Sequence, residues 1–445
     1  MELSNRKVVV VGLGKSGVAA AKLCLANGAR VIGTDSAPLA SLSPEARGLG
    51  IELCAGGHEA AELDRADVIV LSPGVADFPA LSRAARAGAE VIGELELASR
   101  FVHAPVLAVG GTNGKSTATS VLAALLQAAG LRVFAGANLG RPAAEAAEDA
   151  YDVIVWEVSS FQMERVPTFR PKVSVLLNIS EDHLDRYSGF SAYATAKGNA
   201  FVNQGEGDVA IVPAGDAACL QQARRGHGRI VTFGTDADYA TQADAIYERA
   251  TGASFSLADA QLHGRHNHDN AAAAVAAARA FGVDADAVGR GLAAFRPLPH
   301  RMARAGTVRG VTFYDDSKAT NVGAAVTALL GLAEARAVLI AGGRDKHGSY
   351  APLVQALEQK ARAVVLVGEA ADRIAAAVAG RVPVLRAASM THAVRAAFGA
   401  ASPGDAVLLS PACSSFDMFS SYAARGDAFV SAVQELGADC SEVTA

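Results

Sequence analysis

The chain has one tryptophan, no clustered cysteines, no basic tract and no long apolar run, and each absence narrows what it does. A net charge of -5 without a block of lysine or arginine leaves no electrostatic footprint for a phosphate backbone, so no nucleic-acid partner is expected. The five cysteines, Cys24, Cys54, Cys219, Cys413 and Cys440, are scattered and odd in number, with neither zinc-finger nor redox spacing. They are expected to be reduced thiols, mostly packed in cores, with Cys413 near a site only as a bystander. No apolar stretch reaches the roughly 18–20 residues that a membrane span needs. Met1–Lys7 leads straight into an apolar strand, Val8–Val11, without a cleavable leader, so a cytosolic protein without membrane insertion is expected. Charged residues make up only 19% and alanine is abundant, a composition that favours helices and does not by itself imply a bilayer.

What is present starts with Gly110-Gly111-Thr112-Asn113-Gly114-Lys115-Ser116-Thr117, directly after the apolar run Val106–Val109. This reads as a strand entering a phosphate-binding loop and then a helix. Loop amides and a helix N-terminus form an anion cradle. Lys115 can reach terminal phosphates, and the Ser116 hydroxyl can bind Mg2+. The loop is a variant, because Val109 stands where the general pattern has its first glycine.

Short β-branched runs alternate with alanine-rich stretches almost throughout, among them Arg30–Thr34, Val68–Leu71, Val153–Val158, Val173–Leu177, Val338–Ala341, Ala363–Val367 and Val407–Leu409. Continuous apolar runs suit parallel strands buried on both faces, and the βα rhythm predicts doubly wound α/β sheets. The chain is too long for one sheet. Divisions are expected near Glu94 and at Pro297-Leu298-Pro299, giving domains 1–93, 94–299 and 300–445. The polar stretch from Thr232 to Arg265 suggests a small β excursion in the middle domain.

Three further constellations carry chemistry. Gly12-Leu13-Gly14-Lys15-Ser16-Gly17 follows the first strand, and Asp35 closes the second, eighteen positions after Gly17. This resembles a dinucleotide fingerprint, but a helix N-terminus accepts any pyrophosphate. A UDP-sugar fits as well, with Asp35 on a ribose or base edge and Ser72-Pro73-Gly74 on the neighbouring loop. Glu157, near the end of Val153–Val158, is placed to hold Mg2+ with Ser116; the plain alternative is a carboxylate capping the next helix. Asn178-Ile179-Ser180-Glu181-Asp182-His183-Leu184-Asp185-Arg186-Tyr187 gathers acid, imidazole and amide groups after another strand, with His183 the chief candidate and Asp182 and Asp185 behind it. Lys197 reads by itself as a surface lysine.

Gly111–Ser116, Asn178–Arg186, Asp315-Asp316-Ser317-Lys318-Ala319-Thr320-Asn321 and Ser410-Pro411-Ala412-Cys413-Ser414-Ser415-Phe416-Asp417 occur in this order. Together they resemble the Mur ligases of peptidoglycan synthesis over essentially the whole chain. The Asp-Ser-Lys-Ala-Thr-Asn segment points to the branch that adds D-glutamate to UDP-N-acetylmuramoyl-L-alanine. The resemblance implies an N-terminal Rossmann-like UDP-binding domain, a central P-loop ATPase-type domain with a mostly parallel sheet, and a C-terminal Rossmann-like α/β domain that binds the amino acid. By similarity, Lys15, Ser16, Gly17, Asp35, Ser36 and Gly74 bind the uridine diphosphate, and Asn138 and His183 approach the muramoyl peptide. Gly111, Thr112, Asn113, Gly114, Lys115, Ser116 and Thr117 hold the ATP phosphates. Asn270 meets the adenine-side pocket, and Arg301 and Asp316 bind ATP from the third domain. Ser116, Glu157 and His183 serve Mg2+. Lys197 matches the lysine that takes up CO2 as a carbamate, an anion able to bind a second Mg2+. Lys318, Thr320, Lys346, Ser415 and Tyr422 receive D-glutamate.

The implied reaction activates the L-alanyl carboxylate as an acyl phosphate at the expense of ATP, and the D-glutamate amine then displaces phosphate. His183 or a nearby carboxylate could take the amine proton. A monomer is expected, with Pro297–His300 as the hinge on which the third domain closes. Alternatives are another amino-acid ligase of the same superfamily, including one adding glutamate to folate, a nicotinamide-dependent oxidoreductase, or a non-enzymatic nucleotide-binding regulator.

Overall fold

A computed structural model of the chain describes residues 1–183, 186–260, 262, 264–345 and 348–442. These residues fall into two compact units, one of 1–259 with 270–294 and the other of 260–269 with 295–445.

The first unit holds two sheets. In the first, β1 (Lys7–Val11), β2 (Arg30–Asp35), β3 (Glu52–Ala55), β4 (Val68–Leu71) and β5 (Glu90–Gly93) are ordered β3-β2-β1-β4-β5, all parallel. The runs Val8–Val11 and Val68–Leu71 are buried throughout, as expected of strands covered on both faces. Strand order reverses at β1, and ligands bind outside the carboxyl ends of strands at such a switch point. The second sheet comprises β6 (Val106–Gly110), β7 (Val133–Ala137), β8 (Val153–Glu157), β9 (Val173–Leu176), β10 (Val209–Pro213), β11 (Arg229–Gly234), β12 (Tyr239–Gln242), β13 (Ala245–Glu248) and β14 (Ser254–Ser256). Their order is β14-β13-β12-β11-β10-β9-β6-β8-β7. The strand entering the phosphate loop, β6, lies between β9 and β8 and parallel to both. The polar stretch after Thr232 forms the expected excursion, an antiparallel extension of the sheet through β13 and β14.

One apolar core runs from the first sheet into the second, including Val8, Leu95, Leu97, Ala143, Trp156 and Met163. Two carboxylates lie inside this junction. Glu96 accepts from the Phe169 amide at 3.0 Å and pairs with Arg100 at 2.8 Å. Glu94 accepts from the Ala144 amide at 2.8 Å, while its second oxygen has no hydrogen-bond partner among the described residues. Burial raises the Glu94 carboxyl from 4.5 to about 7, so the folded state favours the protonated acid. Its stabilising contribution is therefore full below about pH 4.5 and is lost as pH rises through about 7, on the order of 3 kcal/mol in all. Glu94→Gln keeps the acceptor and removes the charge. The variant is expected to melt with wild type at pH 4.5 and above it at pH 8, read by scanning calorimetry; equal melting at both pH values contradicts this reading.

In the second unit, β15 (Ala303–Val308), β16 (Val311–Asp315), β17 (Ala337–Gly342), β18 (Ala361–Val367), β19 (Val384–Arg386) and β20 (Ala406–Leu409) are ordered β15-β16-β20-β17-β18-β19. Only β15 is antiparallel to its neighbour. The carboxyl ends of β16, β20 and β17 lead into the Asp315, Ser410 and Gly342 loops.

No described helix is long and apolar enough to cross a membrane. Cys24, Cys54, Cys219 and Cys413 are buried, Cys440 partly so, and all five thiols are free.

Candidate active site

The carboxyl ends of the first sheet open into a cleft of about 980 Å³, lined in part by Lys15, Ser16, Asp35, Ser36, Gly74 and Asn138. Gly17 lies behind this wall. A Cβ there would fall 1.8 Å from the Gly12 carbonyl oxygen, so the turn requires glycine at this position. Asp35 also does more locally than expected: its oxygens accept from the Leu13 amide at 2.7 Å and the Ala37 amide at 2.8 Å. It fixes the phosphate turn whether or not it touches a ribose. Sequence reasoning missed His58 and Phe78, which also line the cleft and stack with centroids 4.8 Å apart. The Thr34 hydroxyl donates to the Gly57 carbonyl at 3.0 Å and lies 3.0 Å from His58 Nδ1. A hydroxyl has one proton to give, so Nδ1 donates to it.

The phosphate loop turns between β6 and the helix Lys115–Ala128, with Gly111 and Gly114 at φ 147° and 83°. The loop is locked to the end of β9. The Thr112 amide donates to the Asn178 carbonyl at 3.0 Å, the Asn113 amide to Asn178 Oδ1 at 2.9 Å, and Asn178 Nδ2 returns a bond to the Asn113 carbonyl. Asn270 stands at this loop: a Cβ on Gly114 would come 2.2 Å from Asn270 Oδ1. That places it against the phosphate turn, where an adenine-side contact was expected.

Glu157, 3% exposed at the end of β8, accepts from the Ser116 hydroxyl on one oxygen and from Asn138 Nδ2 on the other. Asn138 follows Ala137, which holds φ 66°. Positive φ in a residue with a Cβ is strained backbone of the kind that clusters at functional sites. Thr117 is buried in the first helical turn. His183, at φ 54°, has its ring 4.7 Å from that of Phe161, and its amide donates to Asp182 Oδ1 at 3.0 Å. Asp185 lies outside the described residues.

Lys197 is no surface lysine. It is 5% exposed, and its amine donates to the Gly111 carbonyl at 2.7 Å above the Tyr193 ring. Lys115 bonds the same carbonyl at 3.0 Å. Burial, then repulsion from Lys115, hold the Lys197 amine well below the ordinary lysine range, favouring the neutral form.

In the second unit, Asp316 accepts from the Ser410 hydroxyl at 3.0 Å. Burial and then the neighbouring Asp315 raise its carboxyl to about 7 against the pull of Ser410 and Arg301. Lys318 Nζ sits 4.0 Å over the Tyr422 ring, a cation–π seat. The Thr320 amide donates to the Lys318 carbonyl at 2.8 Å, and Ser415 is buried nearby in sequence to Ser414, which bridges Arg344. Lys346 lies outside the described residues. Arg425, which sequence reasoning missed, is 2% exposed and ties this site together, donating to the Ser317 carbonyl at 2.8 Å, the Ser317 hydroxyl at 3.0 Å and the Cys413 carbonyl at 3.1 Å. His300 was read as part of a linker; its Nδ1 meets Asp315 at 2.6 Å. An arginine in a helix and a histidine after prolines give no signal of such burial.

A cleft at the carboxyl ends of one sheet and a phosphate loop in one unit, with a lysine-bearing strand-end loop cluster in a second α/β unit, are the parts of an ATP-using synthetase. The chain belongs to the Mur ligase family. It matches the MurD-like N-terminal domain over residues 6–93, the Mur ligase middle domain over 109–278 and the Mur ligase glutamate ligase domain over 300–413. It is 46% identical to the UDP-N-acetylmuramoylalanine--D-glutamate ligase of Desulfosudis oleivorans, over 98% of both chains. It is 42% identical to the enzyme of the same name from Syntrophotalea carbinolica, over 98% of this chain and 99% of that one. The fold is shared with a pseudomurein peptide ligase type C from Methanothermus fervidus, at TM-score 0.63 and 20% identity over 97% and 100% of the two chains. It is also shared with the MurF ligase of Thermotoga maritima solved with ADP, at TM-score 0.60 and 17% identity over 100% and 97%.

Proposed function

We propose that this chain joins D-glutamate to UDP-N-acetylmuramoyl-L-alanine, with conversion of ATP to ADP and phosphate, in the cytosolic assembly of a peptidoglycan precursor. The observation that carries the reading is Asn138, which lines the nucleotide cleft and also bonds Glu157 beside the phosphate loop. A substrate anchored by its uridine diphosphate in the cleft can thus present its far carboxylate to ATP. The relatives above, named for this reaction and matched end to end, support the choice of substrates.

In this reading Lys115 and the loop amides hold the triphosphate. The Ser116 hydroxyl and Glu157 carboxylate form a buried oxygen pair at a helix N-terminus, a donor set suited to a hard cation that completes its shell with phosphate and water. Bound Mg2+ would reduce repulsion between the incoming carboxylate and the triphosphate. Lys197 in its neutral form can attack CO2, releasing a proton and leaving an N-carboxylate, which would offer oxygen ligands to a second ion. An L-alanyl carboxylate oxygen attacks the γ-phosphorus and ADP leaves. The free amine of D-glutamate then attacks the acyl carbon and gives up a proton to His183 or a nearby carboxylate, and phosphate departs with that oxygen. Lys318, Thr320, Ser415, Tyr422 and Lys346 receive the D-glutamate carboxylates, for which ammonium and hydroxyl donors are the fitting chemistry; Arg301 and Asp316 serve ATP.

The test is phosphate release by purified protein with ATP, Mg2+ and UDP-N-acetylmuramoyl-L-alanine, comparing D-glutamate, L-glutamate, L-alanine and a diamino acid. Only D-glutamate is expected to support turnover. Turnover on the diamino acid, or none on D-glutamate, sinks the assignment.

A further inference from the structure

Arg186 makes contacts that the chemistry above leaves unused. Its backbone amide donates to the His183 carbonyl at 2.9 Å, joined by the Tyr187 amide at 3.1 Å. Its guanidinium reaches away from that loop. Nη2 donates to Glu164 Oε2 at 2.7 Å and to the Val75 carbonyl at 3.2 Å, and the guanidinium carbon lies 4.9 Å from the centre of the Phe161 ring. Glu164 is held from a second side by the Tyr187 hydroxyl at 2.7 Å. Phe161 is the ring against which His183 rests. Val75 belongs to the segment Pro73–Phe78 that walls the nucleotide cleft. One side chain therefore joins the cleft wall, 111 residues away in sequence, to the strained turn carrying His183.

We propose that Arg186 is a positioning residue that couples occupancy of the nucleotide cleft to the placement of His183, so that the uridine-nucleotide substrate and Mg2+·ATP favour each other's binding. The proposal rests on the reading of the cleft given above. A ligand against Pro73–Phe78 fixes the Val75 carbonyl. The guanidinium fork is planar and already aligned on Glu164, so it transmits that placement with little loss to rotamer freedom. Coupling of this kind is reciprocal: each ligand tightens the other by the same factor. A second arginine supplies the comparison. Arg165 pairs with Asp77 on the same wall, but no hydrogen bond or ring contact links its side chain to His183 among the described residues.

The experiment is calorimetric titration of UDP-N-acetylmuramoyl-L-alanine, alone and with saturating Mg2+ and a non-hydrolysable ATP analogue. Wild type is expected to bind at least about fivefold more tightly in the presence of the analogue. Arg186→Ala and Arg186→Lys should still bind the uridine compound alone, with the ratio reduced towards one; Arg165→Ala should keep it. Melting temperatures establish folding, and the lysine variant carries the test if the alanine variant does not fold. A wild-type ratio of one, or an unchanged ratio in the Arg186 variants, overturns the coupling while leaving the cleft reading intact. No binding of the uridine compound to wild type overturns the cleft reading and the coupling with it.

Discussion

Lys115→Ala is expected to slow phosphate release by roughly 10²–10³-fold, the usual effect of removing a donor aimed at developing charge. The Lys115 amine donates to the Gly111 and Thr112 carbonyls of its own loop at 3.0 and 2.9 Å. Those neutral partners exchange readily for anionic oxygens, which make stronger charge-assisted bonds. Lys115→Arg should rescue little: the guanidinium is a planar fork and not a compact charge, and Lys197 already bonds the same Gly111 carbonyl. Lys115 does not line the first-sheet cleft proposed for the uridine compound, so the calorimetric affinity for that compound in the absence of ATP should stay near wild type. Retention of turnover within tenfold of wild type contradicts the assigned role.

Lys197→Met should abolish turnover to a comparable degree, about 10²-fold or more, while leaving the melting temperature equal or higher. The two readouts separate because the buried amine carries a desolvation cost that a thioether of similar length does not. The sign follows from the lowered amine: its stability contribution is full above the ordinary lysine value near 10.5 and is lost as pH falls below it towards the depressed one. At neutral pH the neutral buried amine is therefore a cost to folding. Lys197→Ala leaves space beside the Gly111 carbonyl, and acetate or formate should restore part of its activity by supplying the missing carboxylate. Full activity of wild type in rigorously CO2-free buffer, with no rescue of the alanine variant, contradicts the carbamate.

The parts of this architecture that sequence made legible are those written in contiguous residues. Val8–Val11 and Val68–Leu71 suited strands buried on both faces, and Gly110–Thr117 carries its loop geometry in two glycines and its charge in one lysine. Positions set by the fold were opaque. Lys197 looks like a solvated residue until the helix Phe190–Gly198 brings it beneath the phosphate loop. Arg425 sits in an alanine-rich helix with nothing nearby in sequence to mark it, yet its partners are Ser317 and Cys413. Asp35 was legible as important but not as a ligand of its own backbone. Arg186 fell within a recognised segment, but its reach to Val75 depends on how two sheets share one core.

The central claim is that the γ-phosphate of ATP passes to a carboxylate oxygen of the uridine-linked substrate before any amide forms. Synthesis of that substrate with ¹⁸O in the alanyl carboxylate, followed by one round of ligation and mass spectrometry of the released phosphate, tests it directly. Phosphate carrying a single ¹⁸O, matched one to one with amide formed, is the expected result. Unlabelled phosphate accompanying full amide formation would show that the carboxylate was never phosphorylated.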